Sequence, residues 1–366
     1  MSGRPVLRVD FESRENNFSF LRLGAATLVL VSHGYDLAQV GYEPFRDWSG
    51  FDSFGGLAVS TFFVISGFLV TASLSRSRSA VKYLKNRCLR IFPALIGVVL
   101  LCAFVLGPLL TYFSLGDYLR NPTTWDYLRN IYLFELRYDL PGVFESNAWG
   151  RAVNGSLWTL PMEFAAYLLL LLIFLFGGLN TRFLFCVGTL LAAVQLKLAD
   201  WLGIQDAVFL SMPLMPTLKN WTFFVAGALI FCLRDRIPFH PLYFLCGLSL
   251  FFIGFHHPIG IAIYLVVWPY LVIFAAHAVV PVLNKLDRFG DISYGVYLYA
   301  FPVQQTILYF SQGKLGIHGF NLLAAAIVFV FATLSWFLIE KPTLRLKNTR
   351  QRFPMSAASE DGAVSA

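Results

Sequence analysis

Long stretches without Asp, Glu, Lys or Arg limit what this chain can fold into more than any other feature. Five of them are residues 53–75, 91–116, 164–181, 292–313 and 315–339. About 20 apolar residues in a helix cross the hydrocarbon core of a bilayer, so each stretch predicts a transmembrane helix. A further charge-free run, 237–284, has room for two helices with a break near His257–Pro258–Ile259–Gly260. Three weaker stretches, 18–36, 183–201 and 218–233, bring the predicted number to ten.

The composition supports this interpretation. Charged residues are 13% of the chain, whereas soluble domains carry about 25%. The sequence therefore predicts an all-α, polytopic membrane protein with about ten transmembrane helices. We expect a cytoplasmic N-terminal segment (1–17), a transmembrane domain (18–345) with an extracytoplasmic loop at about 115–156, and a disordered cytoplasmic tail (346–366).

The distribution of basic residues predicts the orientation. If the N-terminus is cytoplasmic, 20 of the 28 Lys and Arg residues fall on the cytoplasmic side. This is the positive-inside pattern, and an even number of helices places both termini in the cytoplasm. The basic residues then face anionic membrane lipids, so the net charge of +7 requires no nucleic-acid partner. We expect the inner membrane of a bacterium.

The sequence predicts no metal site. The five cysteines show neither CxxC spacing nor a disulfide pattern, and no HExxH, GxSxG or Walker motif occurs.

Two polar residues lie inside the first predicted helix. Arg22 and His33 are 11 residues apart, which on a helix is about 16 Å of rise and about 20° of rotation, so both side chains lie on one face. A substrate with an anionic end and a reactive group could bridge such a pair. The alternative is an arginine that extends to the interface and a histidine bonded to a backbone carbonyl.

Arg87 and Arg90 follow at positions i and i+3, directly before the third predicted helix. Two guanidiniums on one helix face can bind phosphate through charge-assisted hydrogen bonds. They could equally be the basic residues that orient this helix in the membrane.

Two carboxylates near predicted helix ends could assist a histidine. Glu163 opens the fourth predicted helix after Trp158, where the helix dipole alone would favour a negative charge. It could also orient an imidazole or accept a proton. Asp36 lies one turn after His33 and could be an orienting group or a solvated charge.

These residues belong to a series of motifs that resembles the acyltransferase 3 family of membrane-bound O-acyltransferases. Six motifs occur in the family's order over residues 18–345: Arg22 with His33, Phe62–Phe68, Arg87–Pro93, Trp158–Glu163, Ser293–Leu298 and Glu340–Pro342. Two features differ. A histidine common in the family shortly after the Tyr-Leu of the ninth helix is absent, since Tyr299–Ala300–Phe301–Pro302 occurs there. We also expect the single-domain type, without the SGNH hydrolase extension of many members.

The resemblance implies transfer of an acyl group, by family frequency acetyl, from cytoplasmic acyl-CoA to a hydroxyl of an extracytoplasmic or lipid-linked glycan such as a surface polysaccharide. Arg22, Arg87 and Arg90 would bind the acyl-CoA. His33 and Glu163 would be catalytic, with His33 as general base or transient acyl carrier. Trp158 and Asp36 would bind the acceptor. The donor is a substrate, and no permanently bound cofactor is implied.

Two other classes of function also fit a chain with polar groups inside the membrane. One is a transporter of a glycan or small solute, although no internal repeat of broken helices is found. The other is a non-catalytic component of a polysaccharide assembly complex, in which His33 would be structural.

Overall fold

The computed structural model describes residues 16–278 and 290–348, and their regular structure is almost entirely helical. The predicted segments 1–17 and 346–366 lie largely outside these residues. The α-helices are α1 (Phe18–Leu37), α2 (Pro44–Ser49), α3 (Phe54–Ser77), α4 (Ala80–Leu101), α5 (Gly107–Leu110), α6 (Leu115–Arg120), α7 (Pro122–Asp126), α8 (Leu160–Gly177), α9 (Thr181–Ala193), α10 (Ala199–Leu202), α11 (Leu214–Leu233), α12 (Pro241–Ile253), α13 (Gly260–His277), α14 (Ser293–Ser311), α15 (Ile317–Ser335) and α16 (Lys341–Arg345).

Shorter elements connect or extend these helices. The π-helical segments are Cys102–Leu106, Val194–Leu198 and Trp336–Glu340, and the 3-10 segments are Tyr127–Tyr132, Gly155–Thr159 and Leu346–Asn348. The described residues contain two strands, β1 (Val208–Phe209) and β2 (Met212–Pro213), which pair antiparallel with Val208 opposite Pro213. The prediction of a helical protein is therefore confirmed.

Each of the ten predicted helices overlaps a helix of the structure. Seven helices in the described part of the chain are long and apolar enough to cross a membrane: Phe54–Ser77, Ala80–Leu110, Gly155–Gly177, Thr181–Leu202, Leu214–Leu233, Gly260–His277 and Ile317–Arg345. Of the other three, α12 has only 13 residues, whereas α1 and α14 are long enough but more polar. The chain is an integral membrane protein.

Helix α3 lies at the centre of the bundle, where 78% of its most apolar 18-residue window is buried. It packs against α1, α11 and α13. The contact with α11 is close because two glycines lie in it. A Cβ atom at Gly67 would overlap the carbonyl of Phe224, and one at Gly227 would overlap the carbonyl of Val64. The glycines therefore allow direct approach of the two backbones, as small residues do between membrane helices.

The segment between α5 and α8, which contains the predicted extracytoplasmic loop, is attached to α14 by side-chain hydrogen bonds. The amide nitrogen of Asn147 donates to Gln305 Oε1 over 2.8 Å, and that of Asn154 donates to the carbonyl of Leu298 over 3.0 Å. Gln305 in turn donates to the carbonyl of Ala152 over 2.8 Å. These bonds fix the segment that carries Trp158 against the bundle.

Candidate functional site

Two adjoining cavities lie along α1, α3 and α14. The first, the arginine chamber, has a volume of about 320 Å³. The second, the histidine chamber, has a volume of about 520 Å³. The polar residues that line the arginine chamber include Arg22, Ser66, Arg87, Arg90, Glu163, Tyr167, Asp291, Tyr294 and Lys347. Those of the histidine chamber include Ser32, His33, Asp36, Asp52, Trp158, Lys219 and Asn220.

The three predicted donor-binding arginines lie together in the arginine chamber. Arg22 comes from α1, and Arg87 and Arg90 come from α4. Among the described residues, four cationic side chains but only two carboxylates line this chamber. The space therefore favours an anionic ligand.

Asp291 connects two of these arginines. Its Oδ2 lies 3.1 Å from Arg22 Nη2 and 2.9 Å from Arg90 Nη2, and its Oδ1 accepts from Ser293 at the start of α14. Burial alone would raise the pKa of the Asp291 carboxyl, but the two guanidiniums outweigh burial and lower this pKa to about 2. The ion pairs therefore stay intact at physiological pH and fix α1, α4 and the start of α14 relative to one another.

A second carboxylate, Glu340, holds Arg90 from the opposite side. The π-helical segment Trp336–Glu340 places this buried side chain 3.8 Å from Arg90 Nη1, and Ser335 donates a hydrogen bond to it. The Arg90 guanidinium also lies over the Tyr294 ring at 5.4 Å. Arg90 is thus fully engaged by the protein itself.

Arg87 and Lys347 have no acidic partner among the described residues. The guanidinium of Arg87 lies over the Tyr167 ring at 5.6 Å, and its buried Nε atom makes no hydrogen bond to any residue that the structure describes. Burial, together with the charges of Arg87 and Arg90, lowers the pKa of the Lys347 ammonium to about 8. These two cations are the unneutralised charges that a bound anion would meet.

The structure separates the two predicted catalytic side chains. Glu163 lines the arginine chamber, where its carboxylate accepts hydrogen bonds from Tyr167 and, over 3.4 Å, from Ser66. His33 lines the histidine chamber instead. The hydrogen bond from Ser66 shows that the first turn of α8 places this carboxylate beside α3, and the orientation of the imidazole by Glu163 stays a prediction.

His33 lies half-buried in the histidine chamber. Its ring meets the edge of Phe301 at a centroid distance of 5.5 Å. Its buried Nδ1 atom has no hydrogen-bond partner in the described part of the chain. A buried polar atom without a partner is costly, so this nitrogen is available to a ligand.

An ion pair that the sequence did not suggest lies in the same chamber. Lys219 Nζ is 2.9 Å from Asp52 Oδ2, and the Asp52 side chain is only 9% exposed. The neighbouring Asn220 is buried, and its Oδ1 atom has no hydrogen-bond partner in the structure that is described. In the sequence, these residues differ from their neighbours only in being polar and near helix ends. Such residues are common, so they do not predict an ion pair.

The predicted acceptor-binding residues also line the histidine chamber. Trp158 is contributed by the 3-10 segment before α8. The carboxylate of Asp36 lies 3.4 Å from Arg46 Nη1, so it has a partner other than His33. Indole rings and hydrogen-bonding side chains around one cavity form a surface suited to a polar ligand with apolar faces.

Comparison with known proteins identifies a family and two relatives that match nearly the whole chain. A family profile described as an acyltransferase domain matches residues 15–341. An O-acetyl transferase of Shigella phage Sf6 is 32% identical over 341 residues, covering 90% of this chain and 96% of the relative. Nodulation protein 10 of Rhizobium leguminosarum bv. viciae is 31% identical over 361 residues, covering 91% and 94%. No solved structure matches the chain. The match spans nearly the whole sequence, and the chain therefore belongs to the acyltransferase 3 family.

Proposed function

We propose that the protein transfers an acyl group, acetyl in the first instance, from cytoplasmic acyl-CoA to a hydroxyl of an extracytoplasmic or lipid-linked glycan. The observation that carries this proposal is the placement of Arg22 and His33. They lie about 16 Å apart along one helix and line two adjoining chambers, one of which is cationic.

The arginine chamber supports binding of the nucleotide end of the donor. Arg87 and Lys347 would contact its phosphates, because their charges are not neutralised by the protein. Arg22 and Arg90 are held by Asp291, so they would add positive potential and fixed donors rather than move towards the ligand. Glu163 would hold the side chains of Tyr167 and Ser66 in place through its hydrogen bonds to them.

The histidine chamber supports the chemical step. His33 would accept the proton of a sugar hydroxyl as its oxygen attacks the thioester carbonyl carbon. The carbon–sulfur bond then breaks, an ester forms, and the thiolate of CoA takes up a proton. Transient attachment of the acyl group to the imidazole is the other route open to this residue.

The acceptor would bind in the histidine chamber beside His33. Trp158 offers an aromatic face for a sugar ring, and Asp36 lies at the same cavity. The Asp52–Lys219 pair and the unpartnered oxygen of Asn220 supply further hydrogen-bonding groups for sugar hydroxyls. One relative is itself named an O-acetyl transferase, which supports acetyl as the group transferred.

We place the protein in a bacterial inner membrane with ten crossing helices and both termini in the cytoplasm. The seven helices that meet the length and apolarity of a span would be joined by α1, α12 and α14. Most Lys and Arg residues then lie on the cytoplasmic side, and the arginine chamber opens to the cytoplasm.

Vesicles of opposite orientation test the proposal, because CoA esters do not cross a bilayer. Membranes containing the protein and its host's surface glycan are prepared inside-out and right-side-out and are given labelled acetyl-CoA. We expect labelled glycan only in the inside-out vesicles. Label in right-side-out vesicles, or in neither, would contradict the proposal.

The pH dependence of donor binding should report Lys347. Its pKa of about 8 predicts that kcat/KM for acetyl-CoA declines as the pH rises through 8, since the free protein then loses one of its unpaired positive charges. Lys347→Arg keeps the charge and should shift this decline to a pH above 10. A wild-type profile that is flat from pH 7 to 9.5, or an unchanged decline in Lys347→Arg, would show that Lys347 does not bind the donor.

A further inference from the structure

The two chambers are separated by a thin wall. Of all described lining residues, only Val59 of α3 and Tyr297 of α14 line both cavities. Both side chains are buried, with relative exposures of 8% and 6%. Any group that passes from the arginine chamber to His33 must therefore pass these two side chains.

The position of Tyr297 is fixed by its surroundings. Its hydroxyl donates to the carbonyl of Ser156 over 2.9 Å and is also hydrogen-bonded to Thr159 Oγ1 at 2.5 Å. Its ring meets the edge of Phe62 at a centroid distance of 6.1 Å. Both hydrogen bonds attach the ring to the 3-10 segment Gly155–Thr159, so movement of the ring would break them. Val59 has no such bonds and acts only by the volume of its side chain.

We propose that Val59 and Tyr297 set the largest acyl group that the protein transfers. This inference rests on the proposed function, in which the nucleotide end stays in the arginine chamber while the acyl carbon reaches His33. The acyl group must then lie between these two side chains when the hydroxyl attacks. An apolar wall distinguishes acyl groups by their methylene count, and one methylene in such a site changes kcat/KM by about 10–200-fold.

Matched valine variants test this role. Val59→Ala removes two methyl groups from the wall, and we expect its ratio of kcat/KM for propionyl-CoA to that for acetyl-CoA to rise about tenfold over the wild-type ratio. The controls are Val70→Ala, which alters only the arginine chamber, and Val29→Ala, which alters only the histidine chamber. Whatever these controls do to the absolute rate, their ratios should match that of the wild type. A ratio in Val59→Ala no higher than in the controls would overturn the proposal.

Tyr297→Phe provides a second variant if Val59→Ala does not accumulate. It keeps the ring but removes both hydrogen bonds, so the wall becomes movable and the ratio of kcat/KM for propionyl-CoA to that for acetyl-CoA should rise as well.

If the wild type transfers no acyl group at all, the proposed function fails, but the role of the wall can still be tested. The wall is then tested by binding, since Val59→Ala should still gain affinity for propionyl-CoA relative to acetyl-CoA when each displaces labelled CoA. Equal gains in relative affinity for propionyl-CoA in Val59→Ala and Val70→Ala would contradict the proposed role of the wall.

Discussion

Replacing His33 with alanine is expected to lower the rate of acyl transfer by about 10²–10⁴-fold, the usual contribution of a general base. Binding of acetyl-CoA should change little, because His33 lines the histidine chamber while the cationic groups line the other. The measurement is transfer of label from acetyl-CoA to the glycan, combined with calorimetric titration of the same preparation with CoA.

The matched control for this variant is His318→Ala. His318 is exposed in α15 and lines neither chamber, so its replacement should leave transfer at the wild-type rate. If His33→Ala folds normally and still transfers acetyl at a wild-type rate, His33 is not the catalytic base and the assignment of the histidine chamber is wrong.

Arg90→Ala is expected to destabilise the protein, whereas Arg87→Ala should weaken donor binding alone. Arg90 lies between two carboxylates, Asp291 and Glu340, and breaking a buried ion pair from one side costs about 3–5 kcal/mol. Arg87 contacts the Tyr167 ring and has no acidic partner among the described residues. Its loss should reduce affinity for CoA about 10–100-fold, the contribution of one hydrogen bond to a charged group.

Thermal unfolding in detergent and calorimetric titration with CoA separate these two effects. A lower Tm is expected for Arg90→Ala but not for Arg87→Ala. Adding Glu340→Gln to Arg90→Ala should restore part of the lost Tm, because Glu340 is then no longer a buried carboxylate without a cation, while Asp291 keeps its ion pair with Arg22. Equal Tm values for the two arginine variants would show that the ion pairs of Arg90 with the two carboxylates do not stabilise the folded protein.

The sequence predicts the helices well because their cause is local. A stretch of about 20 residues without charge has few stable conformations other than a helix in a membrane. For the same reason the common face of Arg22 and His33 follows from their spacing alone. These predictions use only the residues of one segment and the geometry of one helix.

The division of the site into two chambers could not be predicted in this way. It depends on how α1 packs against both α3 and α14, and so on contacts between residues far apart in the chain. Asp291 binds Arg22 of α1 and Arg90 of α4, and neither partner is close to it in the sequence. Glu163 was correctly placed near a helix start, but its direction is set by Ser66 on α3 and by Tyr167. Nothing in the sequence around Glu163 contains that information.

The missing partner of His33 has a consequence for the fate of the donor. A carboxylate beside a histidine holds the imidazole ready for any hydroxyl, including that of water. The Nδ1 atom of His33 has no such partner in the described residues, so in the proposed reaction the glycan itself would supply the second hydrogen bond that aligns the ring. Such an arrangement would protect the thioester of the proposed donor from hydrolysis while no sugar is in place, and the cell would keep its activated acyl groups between turnovers.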